Sequence, residues 1–149
     1  MLGAQQIEAR NLVFALVQLL AAEGLEQRAL AELGVATSVG DALASARERY
    51  LEALPGIREM RNAITHFDDW AMGEGRGLQK RGVDAGVSRR DAEAHFWGLG
   101  YHLDMSVVRL GPYTIEVERA ESAAKDLDRA IYAAAQAVDR HHKATPPDD

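Results

Sequence analysis

Residues 57–72 read IREMRNAITHFDDWAM, with Pro55-Gly56 before them and Gly73-Glu74-Gly75-Arg76-Gly77 after. Proline-glycine breaks a preceding helix, and a glycine-rich run is too flexible to continue one, so the stretch between is bounded as a helix of its own. At about 100° per residue with Ile57 at zero, Ile64 falls at about 340°, Met60 at about 300° and Phe67 at about 280°. These four form an apolar stripe suited to burial. On the same wheel His66 lies at about 180°, Asn62 at about 140° and Asp69 at about 120°, opposite the stripe. Arg61, at about 40°, sits on the boundary, with a side chain long enough to swing either way. Asn62 and His66 are thus one turn apart on a face turned from the core.

Outward from this helix, helical signals dominate. Residues 4–23 have helical spacing but are apolar nearly all round from Leu12 to Leu20. Such a helix is either central to a core or shared with a second subunit, so a homodimer through this helix or the motif helix is expected. Gly24 is expected to close it, with a shorter helix over residues 25–33 ended by Gly34 as its C′ residue. Hydroxyls in residues 35–40 cap a third helix through Leu54. Residues 78–94 are polar and basic, with Ser88 placed to open a short helical turn. Residues 101–110 and 113–117 hold β-branched pairs around Gly111-Pro112, the pattern of a hairpin. Residues 118–141 form a last helix with Ala123, Leu127, Ala130, Ile131, Ala134 and Val138 on one stripe. The fold class that follows is mainly α: an antiparallel helical bundle with one β-hairpin, a single domain over residues 1–142 and a flexible tail over 143–149.

Bulk properties narrow the function. The chain has 149 residues, enough to bury about 70% of its unfolded surface. It contains no cysteine, which removes thiolate chemistry, disulfides and Cys-based zinc sites. Its first residues lack the basic start and small-residue cleavage site of a secretory signal, and the run from Leu12 to Ala22 is short of the roughly 20 residues a bilayer requires. A cytoplasmic protein with no membrane segment is the expectation. The net charge of −6, from 17 basic and 23 acidic residues, argues against a dedicated nucleic-acid binder. It leaves room for an enzyme that holds RNA briefly, because local field outweighs total charge.

The stretch around Arg61, Asn62 and His66 resembles the signature helix of the HEPN (higher eukaryotes and prokaryotes nucleotide-binding) superfamily, in which Arg and a polar residue, often Asn, precede His by three variable residues. The match in detail covers about twenty residues, and a small bundle of antiparallel helices agrees with the family's pattern. The resemblance implies metal-independent cleavage of single-stranded RNA by a homodimer whose two motif helices line one cleft, in a toxin or defence effector neutralised by an antitoxin or other protein partner. The chemistry suits the residues. RNA brings its own nucleophile, the 2′-hydroxyl, so the protein needs a base near neutral pKa, His66, and a cation for the phosphorane, Arg61, with Asn62 orienting either. One toxin subgroup carries a tyrosine, the target of nucleotidyl modification, two residues after the histidine. Asp68 stands there, so that modification is not expected. A non-catalytic HEPN-like dimer serving as an interaction module is the alternative.

Other residues offer weaker signals. Arg76, Lys80 and Arg81, with Arg89 and Arg90, form the one basic cluster, read as a substrate-binding loop that tracks phosphates or as an ordinary solvated surface. Gly73-Glu-Gly-Arg-Gly follows a helix rather than a strand and lacks a Gly-Lys-Ser/Thr ending, so it is no nucleotide loop. His141-His142 cannot close a metal site alone, and Asp68, Asp69 and His66 lack further ligands at helical spacing. Phe96-Trp97 could stack a base, or simply pack. No metal and no cofactor are expected.

Overall fold

The computed structural model describes residues 3–96, 100–102 and 106–145. The described residues form seven helices and one small antiparallel sheet, a mainly α protein. Among the described residues, no helix is long and apolar enough to cross a membrane. The chain groups into two compact units, one of residues 1–17 and 54–119, the other of residues 18–53 and 120–149.

The second unit is built from three helical segments. α1 (Ala4–Glu32) is one unbroken helix, so Gly24 does not end it as the sequence suggested. A single glycine costs about 1 kcal/mol in a helix, which the hydrogen bonds and packing of a long helix readily outweigh. Gly34 does act as the C′ residue. It adopts φ +67°, Val35 N–H donates to Leu30 C=O, and Gly34 N–H donates to Ala31 C=O, the paired bonds of a Schellman ending. α2 (Thr37–Ala53) follows after a short loop. Gln27 Nε2 reaches across to donate to Gly40 C=O at 2.9 Å. The last helix (Val117–Ala144, α7 in chain order) contributes its larger part to this unit and runs past the expected end at His141. Leu30, Leu43 and Ala134 form the core here, with Val35, Val39, Ala130, Ile131 and Val138 packed around them. The stripe expected on the last helix therefore does face a core. Residues 146–149 of the expected tail lie outside the described residues.

The first unit carries the motif. Residues 57–72 are two helices, α3 (Ile57–Thr65) and α4 (Phe67–Ala71), broken at His66, whose backbone leaves the helical region at φ −109°, ψ 42°. Ile57, Met60, Ala63 and Ile64 are buried as the wheel requires. Phe67, expected in that stripe, is 44% exposed, while Trp70 is 5% exposed. A continuous helix would have put Trp70 at about 220°, on the solvent side. The break re-aims α4 so that the larger indole is buried instead of the phenyl ring, a gain in apolar area that favours the kinked arrangement.

Two further helices, α5 (Leu78–Asp84) and α6 (Arg89–Phe96), follow, and α4 and α5 both pack on α6. α5 has no counterpart in the sequence expectation. Ser88 caps α6 as expected, its Oγ accepting from Asp91 N–H at 3.1 Å. The sheet has three strands, β1 (Gly100–His102), β2 (Val107–Leu110) and β3 (Tyr113–Glu116), in that order. β2 and β3 make the expected hairpin, with Leu110 opposite Tyr113 across Gly111-Pro112. Gly111 has φ +56° and the proline ring fixes its own φ, which fits a two-residue turn with glycine at its first central position. The expected strand over residues 101–110 spans β1 and β2, and its residues 103–105 lie outside the described residues. Val108, Leu110 and Ile115 are buried on the sheet. α3 packs against β3, and the Tyr113 ring lies over Gly56, where an added Cβ would come within 2.1 Å of ring Cδ1.

Candidate functional site

His66 owes its position to the break between α3 and α4. Its N–H still donates to Asn62 C=O at 2.9 Å and its C=O accepts from Trp70 N–H at 3.1 Å, so backbone bonds hold it on both sides. The imidazole is exposed and makes no hydrogen bond to any described residue. Asn62, one turn earlier, is also exposed, and its Oδ1 accepts from Arg61 Nη1 at 3.3 Å. Asn62 and His66 are on the solvent side, as the wheel predicts, and Arg61, which the wheel left on the boundary, is exposed as well.

A cleft of about 220 Å³ forms beside them, lined by Glu59, Asn62, His66, Asp69, Trp70, Arg76, Gly77 and Leu78. It brings together three of the residues selected from sequence: Asn62 and His66 of the motif and Arg76 of the glycine-rich loop. Arg61 is not part of its lining but touches it through Asn62. Lys80 is not brought in. Its Nζ pairs with Asp84 Oδ2 at 2.9 Å one turn along α5, and both side chains are exposed. Arg81 also stays outside the lining and acts on Tyr113 instead. Burial raises the pKa of the Tyr113 hydroxyl, the Glu59 carboxylate raises it further, and Arg81 lowers it. Arg89, counted in the basic cluster, is paired with Glu74 at 3.1 Å. Lys80 and Arg89 are therefore neutralised by neighbours, while the cleft retains Arg76.

The loop carrying Arg76 is held by one buried side chain that composition gives no reason to single out. Gln79, 2% exposed, accepts from Gly75 N–H at 2.6 Å through Oε1. Its Nε2 donates to Trp70 C=O at 2.9 Å and to Ala92 C=O at 3.0 Å. One amide thus ties α4, the loop and α6 together, using both the donors and the acceptor that glutamine offers. Gly75 is required beneath it, since a Cβ there would lie 2.4 Å from both Gln79 Oε1 and Trp70 Cδ2.

Glu59 and Asp69 are the cleft residues the motif did not announce, although Asp69 shares the wheel face of Asn62 and His66. Two carboxylates beside an imidazole and a guanidinium make a site able to orient and move protons, with a cation available for anionic charge. No group of three or more His, Asp or Glu that could hold a metal occurs among the described residues. The side chain of Phe96 and residue Trp97, candidates for base stacking, lie outside the described residues. No family model, curated protein or solved structure matches the chain.

Proposed function

We propose that the chain is a HEPN-type, metal-independent endoribonuclease acting on single-stranded RNA. The observation that carries this reading is the cleft in which Asn62 and His66 of the Arg-Asn-x3-His stretch meet Arg76 from a separate loop. An exposed imidazole with no described partner is free to take the proton from a 2′-hydroxyl. The 2′-oxygen then attacks the adjacent phosphorus, the bond to the 5′-oxygen breaks, and that oxygen takes up a proton. The products are a 2′,3′-cyclic phosphate and a 5′-hydroxyl. Arg76 supplies charge for the phosphorane oxygens, and Arg61, anchored on Asn62, stands by as a second cation.

In this reading the active species is a cytoplasmic homodimer that places two copies of the motif on one cleft, and a toxin or defence role with an antitoxin partner is part of the proposal. Val13, Leu16 and Leu20 of the apolar run are buried within the chain itself, so the apolar surface open to a second copy is that of Leu25 of α1 and Leu33 just beyond it, exposed at 63% and 41%.

Glu59 and Asp69 favour a second reading, a non-catalytic dimeric interaction module, because their carboxylates border the position a phosphate would occupy. One experiment separates the two. Purified protein is incubated with single-stranded RNA in EDTA, beside His66→Ala. The ribonuclease reading expects cleavage with cyclic-phosphate ends, reduced about 10²–10⁴-fold in the variant. Intact RNA with wild-type protein that is dimeric by light scattering would establish the second reading instead.

A further inference from the structure

We infer that the cavity flanked by α1 and α2 is a binding site for a primary alkylammonium ion, independent of the cleft at His66. The cavity measures about 600 Å³ and lies wholly within residues 23–51. Glu23 lines it and is 1% exposed, a burial that charged side chains rarely reach unless fully paired. Its pairing is incomplete. Arg47 Nε approaches Glu23 Oε2 at 3.2 Å, but neither that Nε nor Glu23 Oε1 makes a hydrogen bond to any described residue. A buried carboxylate oxygen without a donor is costly, and a ligand that brings an N–H to it removes the cost.

The other lining residues define what that ligand is. Asp41 and Glu48 add two carboxylates against the single guanidinium of Arg47, so the cavity is net negative. The negative end of α1 and the positive end of α2 both border it, so their dipoles offset and side-chain charge decides. Leu30, Val35 and Leu51 supply an apolar wall. A cationic head with several N–H donors and an alkyl body satisfies each of these features: the head takes the place of the Arg47 guanidinium against the Glu23 carboxylate, whose Oε1 is otherwise shielded, and the chain lies on the aliphatic wall. A carboxylate or phosphate ligand would face three acidic side chains. Arg47, with 43% of its side chain exposed, has room to yield to the incoming ammonium.

Free amines and the lysine side chain of a partner protein share this chemistry. The test is calorimetric titration of the 149-residue chain with pentylamine, 1,5-diaminopentane and Nα-acetyl-lysine amide, with pentanol and hexanoate as neutral and anionic counterparts of similar shape. The proposal expects saturable binding of the amines, weakened by salt, and none of pentanol or hexanoate. Binding by the diamine but not the blocked lysine assigns a free amine; tighter binding of the lysine amide assigns a protein partner. Glu23→Gln, which keeps the shape and removes the charge, is expected to weaken binding about ten- to hundredfold. Pentanol binding as well as pentylamine, hexanoate binding in preference, or Glu23→Gln binding amines like the wild type would each overturn it. The ligand comparison uses unaltered protein, so it stands even where the variant fails to fold.

Discussion

Replacing Gln79 by leucine tests the physical account of the site more sharply than any change within the cleft. The leucine is close in size and apolar, so it fills the same space with little cavity. It deletes three hydrogen bonds, to Gly75 N–H, Trp70 C=O and Ala92 C=O, all buried. A typical net contribution is about 0.5–1.5 kcal/mol per bond, and a buried group left unpaired costs about 1–3 kcal/mol. Some orphaned groups will find water by local opening, and the leucine gains back apolar burial, so a loss of about 2–4 kcal/mol is expected. At about 2–4 °C per kcal/mol for a chain of this size, the melting temperature should fall by roughly 4–16 °C. The assay is urea denaturation followed by far-ultraviolet circular dichroism, with hydrogen exchange at the Gly75 amide as the local readout. Gln79→Glu sharpens the comparison. Burial against two carbonyls raises the pKa of that new carboxyl in the folded state, so its penalty should be smallest in acid and grow as pH rises through the carboxylate range. A leucine variant within about 0.5 kcal/mol of wild type, with the Gly75 amide still protected, would refute the idea that this amide holds the Arg76 loop.

Gly56→Ala should destabilise by about 2–4 kcal/mol in the same denaturation assay, because residue 56 sits at φ +82° and its Cβ would strike the Tyr113 ring. On the ribonuclease proposal, Arg76→Ala and Arg61→Ala should each lower RNA cleavage with the fold intact, whereas Thr65→Ala, exposed and outside the cleft, should be nearly silent in the same assay. Asp69→Asn removes negative charge from the cleft and, on the same proposal, should lower KM for RNA, as measured by initial rates at low salt. Burial raises the pKa of the Tyr50 hydroxyl above its ordinary value, so the stability this residue contributes is complete below about pH 10. It should be lost as the unfolded chain ionises at higher pH, and Tyr50→Phe should flatten that alkaline limb in melts between about pH 9 and 11.

Some of this was legible in the chain before any packing was known. Periodicity alone places Ile57, Met60 and Ile64 inside and Asn62 and His66 outside, with Arg61 left on the boundary, because over one or two turns helical geometry is rigid enough to carry phase. Gly34, Ser88 and Gly111-Pro112 acted where local chemistry says they must: positive φ, a hydroxyl acceptor and a tight turn are demands that a few neighbouring atoms settle. What failed was extrapolation across longer stretches. Gly24 was overridden by the packing of a continuous α1, and the wheel lost phase at His66, where burying Trp70 outweighed an unbroken helix. Neither outcome is a property of the local residues, since each is a competition between local propensity and distant contacts. The cleft is of the same kind. Arg76 shares a cleft with His66 because Gln79 anchors its loop to Trp70 and Ala92, and Lys80 and Arg81, its neighbours in the basic run, are left to Asp84 and Tyr113. Sequence determined which polar residues stand out as candidates and which face of the motif helix Asn62 and His66 occupy. Tertiary packing decided which of them share a site, because that depends on side chains far apart in the chain whose meeting no local pattern encodes.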